Sequence, residues 1–360
     1  MLNKSIFLLT LFFAGNLFTV SANENEKQSY DGQINDPEEI QAYIQYHLKD
    51  SYDFTLFKDG KTGKYYSFPL PVILWDEGLK VFMSSKFKHG KAVAESGGNH
   101  YKIYKSKIYR TDAQGTILYD ENGKVQNSRP FDMSITKSVF GTLLAGLIMF
   151  LMFTSLARGY KKGPIPTGLA RALEPLVIYV RDEIARPNIG EKKYRNYMSF
   201  LLTVFFLIWI LNLLGLTPLG FNVTGNIAVT ACLALFTFFI VQFTANKDYW
   251  KHIFWMPGVP VPMKILLMPI EILGMFTKPF SLMLRLFANI TAGNVVLMSL
   301  IALAIVLKVA FGPVMSTGLS LLLSTFIMII KVLVAFLQAY IFTMLSALFI
   351  GLGVAEHEHH

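Results

Sequence analysis

Apolar residues fall into two regimes along this sequence. Over the first third they come in short runs broken by charges, glycines and prolines, and after residue 133 in stretches long enough to cross a bilayer. A helix that covers the hydrocarbon core needs about 20 predominantly apolar residues. Residues 138–157 carry no charge over about that length, and 198–216 and 226–245 form two similar runs. Two longer tracts come next, 261–311 and 319–354. At about 1.5 Å per residue the first overshoots a core about 30 Å thick. It is predicted to open with a hairpin or surface segment around 257–269 and to continue as a strongly tilted helix over 271–307. Residues 319–354 predict a second long, tilted helix, because tilt accommodates surplus hydrophobic length.

The N-terminal third reads differently. Lys4, an apolar stretch at 6–18 and the small residues Val20-Ser21-Ala22 have the layout of a secretory signal. A retained anchor is the alternative, but the polar stretch beginning at Asn23 favours cleavage after Ala22, and the segment from Asn23 onward is then exported. Asp36-Pro37-Glu38-Glu39 has the order of a helix start, with Ile40, Tyr43, Ile44 and Leu48 on one face. Short β-type runs at 65–75, 80–84, 101–109 and 116–119 come next, the last leading to the hairpin signal Asn122-Gly123. The fold class is therefore an all-α polytopic membrane protein with five crossings, the last two long and tilted, joined to a small α+β or β-rich exported module. The domains are 1–22, the signal peptide; 23–133, a periplasmic module; 134–354, the membrane domain; and 355–360, a cytoplasmic tail.

Composition sharpens this reading. Charged residues make up 16% of the 360 and hydrophobic ones 53%, against about 25% charged in an ordinary soluble domain. The net charge of +9 lies wholly after residue 133, where basic residues flank apolar runs and form no patch. Nucleic acid is thereby excluded as a partner. Nine of these basic residues lie within 158–195, whereas 217–225 is uncharged. The excess of positive charge on cytoplasmic loops then puts 158–195 inside and 217–225 outside. The chain is expected to be multi-pass in the cell inner membrane, with its N-terminus periplasmic and its C-terminus cytoplasmic. The lone Cys232 offers no disulfide and no thiolate metal site. No Gly-rich phosphate loop appears, and no cofactor is implied.

Arg285 stands among apolar residues in Leu284-Arg285-Leu286-Phe287-Ala288-Asn289. An arginine at a helix centre costs about 2.5 kcal/mol or more on insertion scales, and its guanidinium does not deprotonate. Snorkelling to the headgroups is the bland alternative. The apolar residues on both sides favour a fixed cation facing a carboxylate on another chain. Glu271, Lys278, Arg285 and Asn289 recur at intervals of 7, 7 and 4, near one helix face. Lys331 and Gln338 are likewise seven apart. If the two long helices are antiparallel neighbours, Arg285 comes level with Gln338 and Asn294 with Lys331. Asn294, nine residues from Arg285, then faces the opposite way, into the protein's own interior.

These residues carry a resemblance. Residues 281–294, together with Asn212-Leu213-Leu214-Gly215-Leu216-Thr217-Pro218, Asn226-Ile227-Ala228-Val229-Thr230 and Leu337-Gln338-Ala339-Tyr340-Ile341-Phe342, resemble the signatures of F-type ATP synthase subunit a over about residues 138–354. The exported extension resembles those of Bacteroidetes-type members. The resemblance implies a non-catalytic, proton-translocating subunit beside a rotating c-subunit ring. It also implies two offset half-channels, b-type peripheral stalk subunits and other ATP synthase subunits as partners, and ATP chemistry on those partners. Arg285 matches the arginine that faces the ring carboxylates, Glu271 the acid of the cytoplasmic half-channel, and Asn289 and Gln338 polar residues near the arginine. The family often has a glutamate and a histidine, in either order, where this chain has Asn294 and Lys331, so a water-filled outer half-channel lined by those two is expected. The alternatives are a free-standing ion channel or secondary transporter, which internal repeats or paired broken helices would favour, and an exported binding module with a membrane tether.

Overall fold

A computed structural model describes residues 50–58, 65–121, 123–162, 168–217, 221–256 and 259–355. The signal segment, the helix expected after Asp36, Asn122 and the tail beyond Ala355 lie outside these residues. The described chain is mostly helical, with a small β-rich N-terminal part. Eight strands come first: β1 (Asp53–Lys58), β2 (Tyr65–Pro69), β3 (Pro71–Trp75), β4 (Leu79–Met83), β5 (Ala94–Ser96), β6 (Asn99–Tyr104), β7 (Lys107–Thr111) and β8 (Phe131–Asp132). They form three small antiparallel sheets, β1-β2, β4-β3-β8 and β5-β6-β7. Val72, Leu74, Phe82, Phe87, Tyr101 and Ile108 close one core between them. Asp53 accepts from Ser84 Oγ and pairs with His89 Nδ1 at 3.3 Å, tying β1 to the chain after β4.

Three expectations for this module need correction. The run 101–109 is not one strand: it folds back at Lys105 and Ser106, whose φ values of 48° and 60° are those of a two-residue hairpin turn. Neither residue is the glycine or asparagine that such a turn favours, so the sequence carries no punctuation there. The run 65–75 is split at Leu70, whose N–H leaves the ladder to donate to Ser84 Oγ at 3.0 Å, with prolines on either side. The run 116–119 forms only an isolated bridge, Tyr119 to Val125.

The helices are α1 (Lys137–Lys162), α2 (Leu169–Tyr179), a π turn (Val180–Ala185), α3 (Arg186–Ile189), α4 (Tyr194–Leu216), α5 (Ile227–Thr244), α6 (Lys247–Phe254) and α7 (Val261–Val354). Gly312, with φ 75° and ψ 167°, breaks α7 into two arms. Among the described residues five segments are long and apolar enough to cross a membrane: Lys137–Lys161, Tyr194–Leu216, Ile227–Thr244, Val261–Leu300 and Phe311–Val354. The last two, of 40 and 44 residues, far exceed the length a perpendicular crossing needs. Helices suit this setting because their backbone groups bond within the segment.

Two further expectations fail here. The first long helix begins at Val261, not after residue 269. Met263 N and Lys264 N both donate to Pro260 O at 3.1 Å, and Pro262 falls in the first turn, where a missing N–H costs nothing. The basic stretch 158–195 is no plain loop either: α2, the π turn and α3 occupy it, burying Leu173, Val180 and Ile184. Arg181, Asp182 and Arg186 form an ion-paired cluster on its outer side.

The module is seated on the bundle. Phe54 of β1 stacks on Phe221 at 4.9 Å and lies 6.1 Å from Phe140 of α1, joining the core of the helical part. The module and the α4–α5 connection therefore share one end of the bundle. At the other end Asn246 N donates to Gly353 O at 2.8 Å, and Lys193 Nζ and Asn246 Nδ2 both donate to Val354 O at 2.9 Å. These donors satisfy carbonyls that a helix end leaves open. Close approach matters there: a Cβ on Gly351 would stand 1.9 Å from Asn188 O, whereas one on Gly146 would meet open space. Gly351→Ala should therefore destabilise the fold by about 1–3 kcal/mol, the usual cost of overpacking. Thermal unfolding of the detergent-solubilised protein checks this, and Gly146→Ala should leave the midpoint unchanged or slightly raised.

Candidate functional site

Arg285 projects from the exposed face of the first arm of α7, between buried Leu282 and Leu286. Ser281, Ala288 and Ala292, spaced one helical turn apart on either side of it, are exposed on the same face. Small side chains in that stripe let another helix approach closely in a membrane. Among the described residues Arg285 has no hydrogen-bond or ion-pair partner. Asn289 is half-buried one turn further on. Gln338, on the second arm, is buried and makes no hydrogen bond to Arg285 among the described residues.

Nine residues beyond Arg285 the chain turns its polar groups inward. Lys331 Nζ donates to Asn294 Oδ1 at 2.6 Å, joining the two arms. Asn294 Nδ2 donates in turn to Asn222 Oδ1 at 2.9 Å, in the α4–α5 connection. The direction of this chain is fixed at its start, since an ammonium group has donors and no acceptor. Gly293 gives the lysine its room, for a Cβ there would lie 3.3 Å from Lys331 Cε. Nearby in the fold, Thr224 Oγ1 donates to Asn212 Oδ1 at 3.0 Å, while Asn212 Nδ2 is buried without a partner. Thr291 Oγ1 and Ser324 Oγ, on the two arms, are also buried and unpaired. Buried polar atoms of this kind are normally satisfied by ordered water.

The second polar grouping lies toward the opposite end. A cavity between α5, α6 and α7 is lined by Thr237, Gln242, Tyr249, Lys278 and Phe349. Lys278 Nζ stands 5.5 Å above the Phe349 ring, a cation–π contact. Gln242 Oε1 is buried and unpaired. Burial pushes the Tyr249 hydroxyl above its usual range; a hydrogen bond from Gln242 opposes this, and the nearby Glu271 charge adds to it. Glu271 is half-buried two turns before Lys278. At about 1.5 Å per residue, Glu271 precedes Arg285 by about 21 Å and Asn294 follows it by about 14 Å.

Sequence reasoning thus named Asn294 and Lys331 in the first grouping and Glu271 and Lys278 in the second, but missed Asn222, Thr224, Thr291 and Ser324 in the one, Thr237, Gln242, Tyr249 and Phe349 in the other, and the part Asn212 plays. Asn212 lies inside one of the family signatures, but nothing in its spacing marks it as an orphaned donor. Asn222, between Phe221 and Val223 in an uncharged connection, carries no periodic signal that points to Asn294. Among the described residues no group of three or more His, Cys, Asp or Glu side chains is placed to hold a metal ion.

Residues 139–351 match the family described as ATP synthase A chain. Residues 43–133 match a family described as a domain of unknown function (DUF8433). The chain is 39% identical over 321 residues to ATP synthase subunit a 2 of Prosthecochloris aestuarii, covering 85% of this chain and 97% of that protein. That alignment is longer than residues 134–360, so it reaches into the N-terminal module. Subunit a of Chlorobium phaeobacteroides is 47% identical over 238 residues, covering 64% of this chain and 68% of that protein. Subunit a 2 of Chlorobaculum tepidum is 43% identical over the same number, covering 64% and 66%.

Proposed function

The chain belongs to the ATP synthase A chain family, and from that premise we propose that it supplies two offset proton half-channels with Arg285 fixed between them. It is the proton-translocating, multi-pass subunit of the membrane sector and works with other ATP synthase subunits. In our reading its immediate partners are the c-subunit ring and b-type peripheral stalk subunits, within the lipid bilayer. The ring lies along the stripe of Ser281, Arg285, Ala288 and Ala292. The division near residue 133 separates the exported module, with its preceding signal, from the membrane domain. The module's end of the bundle is periplasmic, and the end holding Val354 is cytoplasmic.

One observation carries the reading: a guanidinium with no partner among the described residues, on an exposed and otherwise uncharged helix stripe, with polar groupings toward opposite ends. A permanent cation attracts a deprotonated carboxylate on a passing ring helix. Each ring site must then lose its proton before it passes Arg285, so protons cannot leak directly between the half-channels. Glu271 exchanges protons on the cytoplasmic side, with Lys278 and the cavity beside Gln242 next to it. Lys331 and Asn294 line the periplasmic side, where water at the orphaned Asn212, Thr291 and Ser324 atoms completes the path. Asn289 and Gln338 lie close to the arginine's level and supply polar surface around it. This chain performs no ATP chemistry; its own contribution is the path and the fixed charge.

Isolating the membrane complex through a tag on this chain and identifying the chains that come with it tests the assignment. Co-purification of c- and b-type subunits with ATP-driven proton pumping in liposomes is the expected result. A chain that purifies alone and conducts protons without ATP would reject it in favour of a free-standing channel.

A further inference from the structure

We infer that Asn222 is a positioning residue for the periplasmic half-channel: it holds the Asn294 amide with Oδ1 turned to Lys331. This inference rests on the reading of Asn294 and Lys331 as half-channel residues. Donors and acceptors decide the orientation. Lys331 Nζ reaches Asn294 Oδ1 at 2.6 Å and is able only to donate. An asparagine amide is nearly symmetric in shape, so rotation by half a turn exchanges its oxygen and nitrogen. That rotation would set an NH2 against the ammonium, donor against donor. The Asn222 Oδ1 acceptor, 2.9 Å from Asn294 Nδ2, opposes the rotation because the rotated amide would face it with an oxygen.

The backbone around the three side chains is shaped for this arrangement. A Cβ on Gly225 would stand 2.1 Å from Asn222 Oδ1 and 2.5 Å from its Cγ and Nδ2. Asn222 is too short to yield that space without withdrawing from Asn294. At the far end of the chain of bonds, Gly293 leaves room for the Lys331 stem. Asn222 also lies beside Phe221, which stacks on Phe54 of the exported module. The geometry thus sets an acceptor on the α4–α5 connection, apart from both arms of α7, and aims it at the residue that joins them.

The test uses the whole complex in liposomes, with assembly scored by the recovery of partner chains and ATP-driven pumping as the readout. Asn222→Ala should lower pumping about fivefold, the factor one uncharged hydrogen bond allows. Asn222→Asp keeps the acceptor and should restore pumping to within about twofold, whereas Asn222→Leu should not. Gly225→Ala should reproduce the Asn222→Ala loss. In an Asn294→Ala background Asn222→Ala should add nothing, because the amide it orients is gone. A loss that adds fully to that of Asn294→Ala, or wild-type pumping in Asn222→Ala, overturns the inference while leaving the half-channel reading in place. Wild-type pumping in Asn294→Ala itself overturns that reading instead. Should Asn222→Ala fail to assemble, Asn222→Asp against Asn222→Leu decides: recovery in the first alone supports positioning, and equal pumping in both overturns it.

Discussion

Replacing Arg285 with alanine should abolish ATP-driven proton pumping while leaving the complex assembled. The side chain is exposed on its helix face and holds no partner within the described chain, so its removal unpacks little of the subunit's own core. On the proposed reading the loss falls on the encounter with the ring. A carboxylate moved into a low-dielectric interface without its cation faces a cost of about 3–5 kcal/mol, as when one partner of a buried pair is deleted. That corresponds to a rate reduction of about 10²–10³ or more. The ring carboxylates would then pass in their protonated form, and passive proton leak through the membrane sector should rise. Arg285→Lys keeps the charge but loses the planar, permanently charged fork, and it should recover only a small part of the pumping. Quenching of a pH-sensitive dye in reconstituted vesicles reads both effects. Pumping retained in the alanine variant would reject the assigned role.

Lys331→Ala has the second largest expected effect. It removes the ammonium from Asn294 Oδ1, a contact of 2.6 Å, and leaves a carbonyl oxygen facing a half-buried gap. A hydrogen bond to a charged group contributes about 1.5–3 kcal/mol, so pumping should fall by about 10- to 150-fold. Lys331→Gln offers an amide donor to the same oxygen and should fall less. If Lys331→Ala vesicles match wild-type flux, Lys331 is not in the pathway. The double exchange Asn294→Glu with Lys331→His sets at these positions the pair that the resemblance leads one to expect. It should pump better than Lys331→His alone, because the imidazole then gains a carboxylate partner.

Much of this architecture is local, and local features are readable. Crossing a bilayer demands an uninterrupted apolar length, so 138–157, 198–216 and 226–245 announce α1, α4 and α5 with ends only a few residues off. Arg285 is conspicuous for the same reason: a charge stands out where the solvent tolerates none. The level of Asn294 with Lys331 follows from antiparallel counting, because 1.5 Å per residue runs equally on both arms. Local signals fail where they are missing or misleading. The prolines around 257–269 suggest a break, yet Pro262 lies in the first turn of α7, the position proline tolerates best. The basic residues of 158–195 mask Leu173, Val180 and Ile184, whose spacing holds a helical face.

The apolar lengths, the misplaced charge and the family signatures are properties of neighbouring residues, and the chain order alone specifies them. Which groups meet across the bundle is a different matter. That Phe54 seats the module on Phe221, that Asn188 leaves no room at Gly351, and that Asn222 reaches Asn294 across 72 positions depend on how separate elements pack. Such contacts leave no periodic trace, because a hydrogen bond between distant residues constrains their positions in space and not their spacing along the chain.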